Sequence, residues 1–364
     1  MNFAWTVQRY FGKQMLVNLG IVFGAVAALT LMIDVVELMN RAASKEEMTF
    51  GLVLGMGLLK LPSLASQILP FAVLFGAMFT YTRLTRTHEL VIVRAAGMSV
   101  WQFLAPGVAL AAIIGVLAVT VYNPVASSLV SSFEELEARY IRGKASLLAV
   151  SENGLWLRQA DESGQSVIHA LRVSEQGLQL DDVIIFLYDN SEKFAGRIDA
   201  HSATLYDGYW LLQRAWQTGA DRKPSYHERL ALKTTLTPTQ IQDSFASPET
   251  ISFWDLPRFI DMAESAGFSA TRHRLYFYAL LADTFLFCAM TLIAAAFSLR
   301  LSRLGGLFRL ILAGSLTGFL LYFVSDVTQA LGLSGILPAF LAAWSPTAVA
   351  LLLGAATLLH LEDG

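Results

Sequence analysis

The apolar residues of this chain fall into six long runs. Three end by about residue 125, three begin after about residue 274, and a polar, alternating stretch of about 140 residues separates the sets. Roughly 20 apolar residues in a helix cross a hydrocarbon core of roughly 30 Å, and the runs 14–33, 61–80, 101–121, 275–299, 310–331 and 335–359 meet that length. The first three carry no charged residue. With 55% hydrophobic and 15% charged residues and a mean hydropathy of +0.52, the composition does not fit an ordinary soluble domain. The pattern predicts an α-helical membrane protein with six transmembrane helices and one water-facing domain inserted between helices 3 and 4.

The net charge of −3, with scattered basic residues, gives no reason to expect a nucleic-acid partner. No small-residue cleavage site follows the first apolar run, so it is expected to persist as a membrane helix. The single Cys288 lies in the fourth run, which leaves the insert without a disulfide. Arg9, Lys13, Arg83, Arg86, Arg94, Arg300, Arg303 and Arg309 flank the spans on the side of the termini, against Arg41 and Lys45 in the opposite short loops. The positive-inside rule then places both termini in the cytoplasm and the insert outside it, in the periplasm of a bacterial inner membrane.

The insert, expected over 131–250, reads as β-structure. Gly154-Leu-Trp-Leu-Arg158, Ser166-Val-Ile-His-Ala-Leu-Arg-Val173 and Val183-Ile-Ile-Phe-Leu-Tyr188 are short β-branched and aromatic runs, and Asp207-Gly208 is a hairpin turn between two more. This spacing favours an all-β sandwich, jelly roll or open barrel. Over 251–272 the period changes: Phe253, Leu256, Phe259, Ile260 and Ala263 recur at helical spacing, predicting an amphipathic helix near the membrane surface that leads into spans 4–6 of 273–364.

Within 1–130 the segment after the second span is the most legible motif. Thr85 or Thr87 can cap a short helix, Glu89 stands in its first turn, and Gly97 can supply a left-handed stop. Ser99 and Gln102 then form a capping box for the third span. A soluble partner could grip such a helix, or it is a plain surface connector.

Other chemistry finds little support. There is no G-x-x-x-x-G-K-[ST] phosphate loop and no G-x-S-x-G elbow, and His169, His201, His227 and His273 lack metal-ligand spacing. Two functions of different class remain: a transporter permease, or a membrane-anchored scaffold or sensor that recruits a cytoplasmic partner. Asp283 and Asp326 inside spans favour transport, because charges at depth usually face a bundle interior or watery cavity. Gly20 and Gly24 in the first span and Pro62 and Pro70 in the second suit close packing or bending.

Three spans, a β-insert and three more spans, with Glu89-Leu-Val-Ile-Val-Arg-Ala-Ala-Gly97 after the second span, resemble the LptF/LptG permeases of the lipopolysaccharide export ABC transporter. The Arg9-Tyr-Phe-Gly-Lys13 start and Asn153-Gly-Leu-Trp156 are more similar to the LptG branch. The resemblance covers essentially the whole chain. It implies a jellyroll-like periplasmic domain and an LptF-type homologue that encloses a cavity with this chain, open toward the outer leaflet. It further implies an LptB-type ATPase dimer that binds ATP and Mg, and LptC-type and LptA-type bridge proteins that receive lipopolysaccharide. The chain itself would hydrolyse nothing and hold no cofactor or metal. By the same resemblance the helix around Glu89 is the coupling helix, with Arg86, Glu89, Leu90, Val93, Arg94 and Gly97 its coupling residues. Glu89 would pair with a basic residue of the ATPase, and Leu90 and Val93 would supply apolar contact. The β-domain is expected to line a groove for acyl chains with Leu155, Ile168, Ile185, Leu205 and Leu211.

One departure touches the substrate. Relatives place basic residues at the periplasmic end of the first span, where this chain has Asp34 and Glu37. Counting about 1.5 Å per residue, Asp283 and Asp326 lie roughly 24 Å deep and Asp34 and Lys60 about 30 Å. These residues are the lipid-cavity candidates, an acidic band with one lysine. Facing a phosphorylated headgroup, such a band needs partner arginines, bridging Mg²⁺ or Ca²⁺, or a phosphate-poor lipid. Alternatively, Asp34 and Glu37 sit in solvent or pair with Arg41.

Overall fold

The computed structural model describes residues 2–42, 49–95, 97–142, 148–151, 154–161, 164–174, 179–189, 193–219, 223–234, 247–265, 269–301 and 307–363. Lys45, Asn153 and Arg303 lie outside the described residues. Among the described residues, six helices are long and apolar enough to cross a membrane. They are built on α1 (Asn2–Ala42), α2 (Phe50–Arg86), α4 (Val100–Leu117) with its continuation, α7 (Thr271–Leu301), α8 (Leu307–Leu333) and α9 (Ala339–Asp363), with the short α3 (Glu89–Ala95) after the second. The chain forms two units, one of Met1–Leu136, Glu249–Trp254 and Arg274–Gly364, the other of Glu137–Pro248 and Asp255–His273.

In the membrane unit, local chemistry sets where helices start. Thr49 Oγ1 accepts the Leu52 N–H to cap α2. Ser99 and Gln102 form the reciprocal box that opens α4: Ser99 Oγ accepts the Gln102 N–H at 3.3 Å, and Gln102 Oε1 accepts the Ser99 N–H at 3.2 Å. The third span does not stop near residue 121. It passes through a π-turn (Ala118–Tyr122) into α5 (Asn123–Glu137) and a second π-turn (Ala138–Arg142). Ala126, Val130, Phe133 and Glu137 are buried at helical spacing, which is why helix persists where β-structure was expected from 131. Large apolar side chains such as Ile21, Met32, Leu316 and Phe319 are exposed, a surface suited to hydrocarbon or a membrane partner and costly in water.

The first two spans approach at a different place from the one Gly20 and Gly24 suggest. A Cβ at either of those would meet nothing within 4 Å, whereas a Cβ at Gly76 would lie 2.7 Å from Leu19 Cα. One step along, Thr80 Oγ1 donates to Gly76 O at 2.7 Å and accepts from Asn18 Nδ2 at 2.9 Å, so the same contact is closed by polar groups.

The second unit is a single antiparallel sheet whose strands follow in sequence order: β1 (Leu148–Ser151), β2 (Gly154–Asp161), β3 (Gly164–Ser174), β4 (Gln179–Tyr188), β5 (Phe194–Tyr206), β6 (Tyr209–Gly219) and β7 (Ser225–Lys233). Gln159 in β2 donates to Lys233 O at the end of β7 (3.2 Å) and accepts from Thr234 Oγ1 (2.6 Å). Strands five places apart in order therefore meet, and the sheet curls over its own apolar face. Asp182 and Arg214 both take φ of 53°, and the register places them in one row through His201. At that row the inward alternation slips by one, from Leu180 to Val183 and from Leu212 to Ala215, which creases the sheet. The helix α6 (Leu256–Ser265) buries Leu256, Ile260 and Ala263 within this unit, so its apolar stripe is covered by protein.

Gly76→Val puts side-chain atoms into the Leu19 backbone and is expected to destabilise the membrane unit by about 1–3 kcal/mol, while Gly20→Ala, whose Cβ meets open space, does not destabilise it. Denaturant unfolding of the detergent-solubilised chain measures both. Equal midpoints would contradict the packing.

Candidate functional site

The helix α3 is fixed at both ends. At its start Thr87 is the C-cap of α2 rather than an N-cap: its N–H reaches Arg83 O, and its hydroxyl lies 3.0 Å from Arg83 O and 2.9 Å from Glu89 Oε1. Thr85 also bonds back into α2, to Tyr81 O. The first turn is opened instead by His88, whose carbonyl accepts the Ile92 N–H at 3.2 Å and whose φ is 60°. At its end Gly97 takes φ +84° and the Met98 N–H reaches Val93 O at 3.3 Å, the 6→1 closure of a Schellman motif. Glycine is needed there because other side chains strain at that φ.

Two of the residues expected to face an ATPase face inward. Leu90 and Val93 are only 7% and 6% exposed and join the core that includes Phe11, Tyr81, Leu84 and Phe103. They anchor α3 to the spans. Among the described side chains of α3, Ile92 is a large apolar one left outside, 64% exposed, one residue before Val93 on the opposite side of the helix. Glu89 stands half-buried at the helix start and Arg86 is exposed at the end of α2. Arg94 lies in α3, with its side chain outside the described ones. Period alone could have separated Leu90 and Val93 from Ile92, since residues three apart share a helical face.

The acidic band divides. Asp34, 5% exposed, accepts a hydrogen bond from Lys60 Nζ at 2.5 Å, and that ammonium lies 5.5 Å from the centre of the Phe133 ring. Its second oxygen, Oδ2, is buried without a hydrogen-bond partner among the described residues. Glu37 pairs with Arg41 one turn on. The two acids at the end of α1 thus each have a cationic partner within the chain, Asp34 in Lys60 and Glu37 in Arg41. Asp283 is half-buried on α7, and Asp326 is exposed on α8.

In the sheet Leu155, Ile168, Ile185 and Leu205 all lie on the buried inner face, through the register Leu157↔Ile168↔Ile185↔Ile198. Leu211 does not. It pairs with Thr204 on the other face, because the hairpin sets Leu205 opposite Trp210 and alternation then turns Trp210 and Leu212 inward. Trp210 is the large inner residue that the sequence reading missed. Two of the histidines pack at a tilt against rings: His169 lies 4.3 Å from Trp156 and His273 lies 4.6 Å from Phe259.

Breaking the Asp34–Lys60 pair from one side strands a carboxylate in an apolar span. Lys60→Met is expected to cost about 3 kcal/mol, and Asp34→Asn added to it to recover most of the loss. Unfolding midpoints of the two variants decide this. Equal stability would show that the pair is not coupled.

Among proteins of known function, the chain is similar to the lipopolysaccharide export system permease protein LptG of Haemophilus influenzae, 24% identical over 337 residues that make up 88% of this chain and 89% of that one. The family model of the lipopolysaccharide export system permeases LptF/LptG matches residues 9–360. With a match across nearly all of its length, the six-helix membrane protein with an inserted β-sheet belongs to the LptF/LptG family of lipopolysaccharide export system permeases.

Proposed function

We propose that the chain is the LptG-type permease subunit of an ABC transporter that draws lipopolysaccharide from the outer leaflet of the bacterial inner membrane. In this reading both termini and α3 lie in the cytoplasm, and the β-sheet lies in the periplasm. An LptF-type homologue completes the cavity, and an LptB-type ATPase dimer binds ATP and Mg and docks on α3. The glycolipid passes along the inner face of the β-sheet, lined by Leu155, Ile168, Ile185, Leu205 and Trp210, to LptC-type and LptA-type bridge proteins. Family membership supports the transport role.

The observation that carries the coupling is the construction of α3. Caps at both ends and the anchors Leu90 and Val93 make it a rigid extension of α2 and α4, while Glu89 and Ile92 remain available outside. A push on such a helix moves the spans rather than bending a loop. The Asp34–Lys60 pair also narrows the headgroup problem. With Asp34 neutralised, a lipid phosphate meets Asp283 and Asp326, and partner arginines or a bridging divalent cation would balance them.

Glu89→Lys and Ile92→Asp are expected to weaken capture of the ATPase subunit by at least about tenfold while the chain stays folded. Leu90→Asp instead loosens the helix itself and lowers the unfolding midpoint. Pull-down of ATPase with each variant, alongside glycolipid release from proteoliposomes, reads the difference. Undiminished capture and release by Glu89→Lys would overturn the coupling role.

A further inference from the structure

The third membrane helix contains a break whose cause is one residue. In a continuous α-helix the carbonyl of Thr120 would take the N–H of residue 124, but that residue is Pro124, which has none. The chain widens into the π-turn Ala118–Tyr122, in which the Asn123 N–H reaches back five residues to Ala118 O. Thr120 O then accepts the indole N–H of Trp254 at 3.1 Å. The turn also aims the buried side chain of Asn123 at the same stretch: its Oδ1 accepts the backbone N–H of Phe253 at 2.7 Å and its Nδ2 donates to Tyr276 Oη at 3.1 Å.

The stretch so held is Glu249–Trp254, by which the chain first returns to the membrane unit from the β-sheet. Its other contacts fix the same position. Ser63 Oγ donates to Glu249 Oε2 at 3.2 Å, and the Phe253 ring stacks on Phe277 with centroids 5.4 Å apart and planes 12° apart. Tyr122, within the π-turn, donates to Pro62 O at 2.9 Å and ties the break to α2. One amide side chain therefore links the third span, the returning segment and α7.

We propose that Asn123 is a positioning residue of transport: it pins Glu249–Trp254 to the π-turn of the third membrane helix, so that a shift of this helix is carried into the chain that continues as α6. The transmission rests on the permease reading, whereas the pin does not. Asparagine suits the place because it accepts from a backbone N–H and donates to a phenol at once. Asp retains the first bond and lets the phenol donate, while Ala loses both.

Hydrogen exchange of the full-length chain in its complete assembly, read on peptides covering 249–254, tests the pin. Asn123→Ala is expected to speed exchange about tenfold, and Asn123→Asp to remain near wild type. Trp254→Phe, altering an exposed ring, removes the bond to Thr120 while keeping a ring beside Phe253, and raises exchange less; it carries the test if Asn123→Ala does not fold. In the same preparations Asn123→Ala lowers glycolipid released per ATP hydrolysed, with hydrolysis continuing, and Asn123→Asp restores the ratio. Unchanged exchange in the variants overturns the pin. Raised exchange with an unchanged ratio overturns its part in transmission. A wild-type assembly that hydrolyses ATP and moves no glycolipid overturns the permease reading and with it the transmission, while the exchange result still decides the pin.

Discussion

Hydrocarbon offers no hydrogen bonds, so every polar group placed in a span must find its partner in the protein. That constraint organises the membrane unit. Thr80 and Thr291 return their hydroxyls to carbonyls one turn back, Asn18 reaches Thr80 across the α1–α2 contact, and Lys60 neutralises Asp34. Pro124 would break the backbone ladder at Thr120 O, and Trp254 takes that carbonyl; on the second span, Tyr122 and Ser66 both donate to Pro62 O. At Thr120 the bond that fills the broken ladder is also one that joins the third span to the returning segment.

The same economy appears in α3. A seven-residue helix is too short to hold itself together in water. Here its hydrogen-bonded ends are closed by local geometry, and its apolar face is spent on the bundle through Leu90 and Val93. Among the described side chains, Ile92 stays outside and Glu89 half-buried at the helix start, and it is these that the proposed coupling would use. A rigid patch on a rigid mount is the right form for passing force, because no part of the connection yields before the spans do.

The six spans were legible because a run of about 20 apolar residues has few alternatives. Gly97 and the Ser99–Gln102 box were legible because local sequence determines those turns. The resemblance carried by Glu89 to Gly97 reached the family. What sequence hid depends on direction or on distant contact. Alternation marks two faces of a strand without saying which is inward, so sequence points to Leu211 where the buried inner residue is Trp210. Gly20 and Gly24 have packing spacing, yet the close approach is at Gly76, since α2 supplies the small residue and α1 the larger Leu19. His88 opens α3 with a positive φ that its identity does not announce. Depth counting puts Asp34 and Lys60 at one level, but that the two pair, 26 positions apart, shows only in the fold.

The central claim is that this chain works as one subunit of an ATP-driven glycolipid exporter. Purification of the intact chain from its own membrane in mild detergent, followed by native mass spectrometry of the complex and its lipids, addresses that claim most directly. The account predicts one assembly containing a homologous second permease, two copies of an ATPase and bound lipopolysaccharide. A chain that purifies with neither ATPase nor glycolipid, accompanied instead by a soluble signalling partner, would contradict it.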